Sequence, residues 1–111
     1  MKQIKMNSLA KVVARRHHVR ASDLTGQSRG RWVAHPRFKF VWIARYKLGH
    51  STSVIGRFLG GRDHTTIIHA SRQAEALGLI SPETVDDILL EAEGQTQVDM
   101  EQLKRDAGVF A

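Results

Sequence analysis

Apolar residues recur at helical spacing along most of the chain, and polar or glycine-rich breaks mark where one helix gives way to the next. Ile4, Leu9, Val12 and Val13, set among Lys2, Lys5, Lys11, Arg15 and Arg16, predict an amphipathic helix over about 3–17. From His18 to Arg31 the residues Ser22, Asp23, Thr25, Gly26, Ser28 and Gly30 predict a short helical turn at Ser22 to Leu24 and then a loop. Pro36 suits the first turn of a helix, where its missing N–H costs nothing, so the next helix is placed at about 34–48. That helix is apolar on more than one face, through Phe40, Val41, Ile43, Ala44 and Leu48, as a central helix would be. Ser51, Thr52 and Ser53 offer N-cap oxygens to a short helix at about 53–59, closed by Gly60-Gly61. Asp63 stands at the N-cap position of a helix whose stripe is Ile67, Ala70 or Ser71, Ala74 and Leu77, and Gly78 ends it. Two helices joined by a glycine turn form a helix-turn-helix pattern. Ser81-Pro82 opens a further helix at about 82–92, bearing Val85, Ile88, Leu89 and Ala92, which Gly94 is expected to break. Beyond it the weak pattern of Val98, Met100 and Leu103 fits a last short helix or partial disorder equally well. No segment alternates with the period of a strand, so the fold class is all-α, a helical bundle.

Charge sharpens the picture. The 111 residues carry a net +6, but residues 1–50 hold 12 basic and 1 acidic side chains whereas residues 78–111 hold 2 and 8. A basic first half favours a polyanionic partner. The acidic remainder could fold over the basic face and weaken non-specific binding to that partner. With no cysteine in the chain, disulfides, cysteine zinc sites and a cysteine nucleophile are excluded. No apolar run is long enough for a signal peptide or a membrane span, and a cytoplasmic location is the expectation.

The histidines do not suggest a metal. His64 and His69 lie five apart rather than four, no HExxH is present, and His17-His18 is an adjacent pair that diverges on a helix. His17, His18 and His50 are read as surface or satisfied polar residues. The chain lacks GxxxxGK[ST], so no nucleotide and no cofactor are expected, and nothing combines a nucleophile with a base.

The run from Gly60 to Thr66 places a helix N-terminus, with free N–H groups and a positive dipole, where it can hold a phosphate while the first side chains reach base edges. Thr65 and Thr66 offer a methyl for thymine and a hydroxyl for base or phosphate. His64 and His69 can donate to a purine edge, and Asp63 can accept from cytosine or adenine or cap the helix. Arg29 and Arg31, in a loop, can reach into a narrow minor groove, and Arg37 and Arg45 are expected on phosphates. Trp32, beside that loop, is the one aromatic residue left open between core and stacking roles.

Gly60-Gly61-Arg62-Asp63-His64-Thr65-Thr66-Ile67-Ile68-His69-Ala70 closely resembles the GGRDHTTVLHA stretch of the C-terminal DNA-binding domain of the bacterial replication initiator DnaA. Arg29-Gly30-Arg31, Val33 and Pro36-Arg37 are similar to that family's basic loop and long helix, and the resemblance covers roughly residues 5–77. It implies a helix-turn-helix of the DnaA C-terminal, Trp-repressor-like type. It also implies that Asp63, His64, Thr65 and His69 read bases, that Thr66 reads a base or phosphate, and that Arg62 belongs to the DNA-binding set with Arg29, Arg31, Arg37 and Arg45. The chain departs from the family pattern at His35, Phe38, Lys39 and Trp42, has Arg45 where a lysine is usual, and has Thr52-Ser53-Val54 in place of a Leu-Pro-Glu run.

These readings divide the chain into a helix-turn-helix domain at 1–78 and an acidic helical extension at 79–111. They imply binding of double-stranded DNA at boxes like TTATCCACA, by a regulator of replication initiation or of transcription. The alternative is an adaptor that uses the acidic C-terminal segment to bind a protein partner such as a polymerase or the initiator.

Overall fold

A computed structural model describes residues 3–108 and contains six helices: α1 Met6–Arg16, α2 Ala21–Thr25, α3 Arg31–Tyr46, α4 Thr52–Phe58, α5 His64–Ala76 and α6 Pro82–Asp106. The all-α expectation holds. Helix α3 runs through the middle, touching α1, α2, α4 and α5, while α6 lies along α1. One continuous core joins Leu9, Val12 and Val13 of α1, Leu24 of α2, Phe40, Val41 and Ile43 of α3, Ile55, Leu59, Ile67, and Val85, Ile88 and Ala92 of α6. No helix among the described residues is long and apolar enough to cross a membrane.

The start of α3 and the end of α6 differ from the sequence reading, and tertiary contacts explain both. Helix α3 starts at Arg31, so Pro36 sits in its second turn rather than its first. Val33, Pro36 and Phe40 are all buried, and their i, i+3, i+7 spacing puts them on one face, so burying Val33 extends the helix one turn toward Gly30. The backbone N–H groups of Val33 and Ala34 both donate to the Gly30 carbonyl, at 3.3 and 2.9 Å.

Helix α6 does not stop at Gly94. It continues to Asp106 in a single 25-residue helix. A glycine inside a helix costs about 1 kcal/mol relative to alanine, and contacts with α1 just beyond it offset that cost. The Thr96 hydroxyl accepts from the Lys5 backbone N–H at 3.1 Å and donates to the Ala92 carbonyl at 2.8 Å. Ser8 Oγ donates to Asp99 Oδ2 at 2.7 Å, and Lys11 Nζ donates to Asp99 Oδ1 at 2.8 Å. The acidic segment therefore does lie against basic residues, but those of α1. Asp99 pairs with Lys11, and Glu91 pairs with Arg15 at 3.3 Å and Arg16 at 3.2 Å.

Candidate nucleic-acid interface

Helix α4 opens at Ser51, whose Oγ accepts from the Val54 N–H at 3.1 Å, a side-chain cap of the kind the serine and threonine run offers. The turn after it folds back on Gly56, whose carbonyl accepts from the N–H groups of Gly61 and Arg62 at 2.9 and 2.8 Å. A Cβ on Gly56 would lie 2.2 Å from the Arg62 carbonyl oxygen, so the close approach demands glycine. Gly60 and Gly61 take φ of +84° and +86°, the left-handed region that reverses the chain into α5.

Helix α5 sorts its residues cleanly. Ile67, Ala70, Ser71 and Ala74 are buried on its inner face. Asp63, His64, Thr65, Thr66 and His69 are all exposed on the leading edge. Asp63 has N-cap backbone geometry, but its side chain accepts no helix N–H and its Oδ1 lies 3.1 Å from His64 Nδ1 instead. Arg72, one turn beyond His69, is also exposed. It carries no ion pair among the described residues, and the sequence reading passed over it. Its i+3 spacing from His69 was the available signal.

Helix α3 holds α5 through three cross-helix contacts. The rings of Phe38 and His69 meet edge-on with centroids 6.4 Å apart. Trp42 Nε1 donates to Glu75 Oε1 at 2.9 Å. Arg45 donates to Ser71 Oγ at 2.9 Å, and its guanidinium carbon lies 5.0 Å from the Tyr46 ring centre. Phe38 and Trp42 are two of the positions where the chain departs from the family pattern, and here they fix the outer helix.

The arginines fall into two groups. Arg29 and Arg31 are exposed. Arg37 and Arg62 are half-buried and turned inward. Arg37 donates from Nε to the Leu24 carbonyl at 2.8 Å, from Nη2 to the Asp23 carbonyl at 2.8 Å, and more loosely to the carbonyls of Gly26 and Ser28. Arg62 donates to the Leu59 carbonyl, and to the Gly26 carbonyl at 2.7 Å. The structure thus places these two among backbone oxygens, holding the basic loop, whereas the sequence reading set them on DNA. Burial, and then Arg62, lowers the Arg37 pKa; burial, and then Arg29, lowers that of Arg62. Two guanidiniums, those of Arg37 and Arg62, are therefore gathered behind the loop, and neither forms an ion pair among the described residues.

The family model described as bacterial DnaA protein helix-turn-helix matches residues 6–74. The chain belongs to the bacterial DnaA helix-turn-helix family. The chromosomal replication initiator protein DnaA of Caulobacter vibrioides is 41% identical over 76 residues, 68% of this chain and 16% of that protein. The protein of the same name from Francisella tularensis subsp. novicida is 38% identical over 86 residues, 78% of this chain and 18% of that protein. The chain spans less than a fifth of the length of these DnaA relatives. The DnaA helix-turn-helix match ends at residue 74, so the C-terminal half of α6 lies well beyond it.

His17 is the one histidine whose reading needs correction. It closes α1 half-buried rather than satisfied, and its Nε2 is buried without a hydrogen-bond partner. Burial, and then the nearby Lys39, His35 and His18, lowers its pKa from the ordinary value. Among the described residues no three His, Cys, Asp or Glu side chains gather as a metal site would require.

Proposed function

We propose that this chain binds double-stranded DNA sequence-specifically at sites like the DnaA box TTATCCACA, and acts as a regulator of replication initiation or of transcription. One observation carries the reading: the leading edge of α5 is polar and solvent-facing, with side chains free of the core, and the loop bearing Arg29 is bonded to the turn that precedes it. In this reading α5 enters the major groove, with Asp63, His64, Thr65 and His69 on base edges and Thr66 on a base or phosphate. Arg29 and Arg31 reach the adjacent minor groove. Arg72 joins Arg45 near the phosphates, while Arg37 and Arg62 act from behind by holding the loop. Residues 1–78 form the reading unit, and 79–111 buttress it and neutralise α1.

Selection of the full chain against a random duplex library at moderate salt tests the reading. A single enriched motif is the expected result. His64→Ala or Thr65→Ala should cost about 1–3 kcal/mol and blur that motif, because each removes a base-edge contact. Retention without enrichment would refute the sequence-specific reading.

A further inference from the structure

We infer that Trp32 is a DNA-contacting residue, which lays its indole on the sugar-phosphate backbone beside the groove entered by Arg29; this rests on the proposed duplex binding. The molecule treats its two tryptophans in opposite ways. Trp42 is pinned by its bond to Glu75 and by the Tyr46 ring 5.2 Å away. Trp32 is 54% exposed, and its indole N–H meets no acceptor among the described residues. An indole left in water keeps a large apolar area hydrated and holds its donor on solvent alone, so a ligand can cover the face and take over the N–H.

The exposed ring nevertheless has a defined seat. A Cβ on Gly30 would stand 3.0 Å from Trp32 Nε1 and 3.1 Å from its Cδ1, and Gly30 itself has φ of +121°. The ring therefore rests against backbone that glycine alone leaves open. Arg29 and Arg31 flank it, both exposed, and Arg62 ties their loop to the start of α5 through the Gly26 carbonyl. An apolar face, a free N–H and two guanidiniums together suit the backbone of a nucleic acid: the face for a deoxyribose, the donors for phosphate oxygens.

The test uses the full chain with Trp42→Phe, which leaves Trp32 as the sole tryptophan. It is titrated with a fluorophore-labelled duplex containing TTATCCACA, and label anisotropy and tryptophan emission are read together. Emission should change in step with anisotropy, and acrylamide should quench it less in the complex. In the parent chain, Trp32→Ala should weaken binding about tenfold on cognate and scrambled duplexes alike, as loss of an aromatic platform does, while Trp32→Phe keeps most of the affinity. If Trp42→Phe fails to fold, the difference in emission between the parent and Trp32→Phe isolates the same signal. A rise in anisotropy with Trp32 as accessible to acrylamide as before, or Trp32→Ala binding within about twofold of the parent, would overturn the inference and leave duplex binding intact. No anisotropy change with the parent chain would overturn both.

Discussion

Arg62 Nη2 donates to the Gly26 carbonyl at 2.7 Å across 36 positions of sequence, and Arg37 reaches the same oxygen at 3.4 Å. This one carbonyl joins the basic loop, the central helix and the turn into α5. A charged donor bonded to a half-buried carbonyl contributes about 1.5–3 kcal/mol. Arg62→Ala should therefore lower the melting temperature by several degrees and speed amide exchange over residues 26–30. Affinity for duplex should fall at the same time, because Arg29 is then no longer held. Exchange in the loop unchanged from the parent would show that the bond does not order it.

In the proposed binding mode, Phe38 governs how His69 meets a base edge. An edge-on aromatic pair contributes about 0.5–1.5 kcal/mol beyond area burial and restricts the ring orientation of both partners. Phe38→Leu is expected to broaden the base preference at the position His69 contacts and to leave the other positions sharp. In a His69→Ala background the same change should have no further effect on the motif. Additive effects in this double-mutant cycle would separate the two side chains.

The ion pairs between α1 and α6 predict opposite effects on binding and on stability. Glu91→Gln and Asp99→Asn together release Lys11, Arg15 and Arg16, so affinity for scrambled duplex at low salt should rise, and with it the salt dependence, by roughly one unit of slope per added phosphate contact. Stability should fall. Burial raises the Asp99 pKa, but bonds from Lys11, Ser8 and Gln95 prevail and hold it below its ordinary value of 3.8. The stabilisation from Asp99 is thus complete above that value and disappears as pH falls through the lower folded-state value. Denaturant melts of Asp99→Asn from pH 7 to pH 2 should show a shallower acid dependence than the parent.

His17 gives a second pH dependence, in a higher window. Its folded pKa lies below the ordinary 6.5, so the unfolded chain takes up a proton first. Stability from this group is complete above about pH 7 and declines as pH drops through 6.5, levelling once the folded form also protonates. His17→Gln should flatten the stability curve between about pH 7 and 5, with NMR titration of the ring confirming the lowered value.

Much of this was legible locally, and the remainder depended on distant partners. Ser51, Gly60-Gly61 and Asp63 act within a few residues of themselves, so the start of α4, the reversal and the position of α5 could be read from the chain. The exposed edge of α5 followed from the period of Ile67, Ala70 and Ala74. Pro36 and Gly94 misled because packing overrides each local signal: Pro36 lies on the buried face of α3 behind Val33, and the helix beyond Gly94 bonds to Lys5 and Ser8. Charge and resemblance put Arg37 on a phosphate and Arg62 in the DNA-binding set without showing which way either side chain turns, and only the fold brings the carbonyls of Leu24 and Gly26 beneath them. The Trp42–Glu75 bond, across 33 positions, had no sequence signal at all.

The bond from the Lys5 N–H to Thr96 spans 91 positions, and α1 lies beside α6, a helix at the far end of the sequence. During synthesis, α2 to α5 can assemble as they leave the ribosome, whereas one side of α1 waits uncovered for the last helix to emerge. Ribosome-bound chains arrested before about residue 100 would then hold α5 in place over an incomplete core, with Lys11, Arg15 and Arg16 still unpaired.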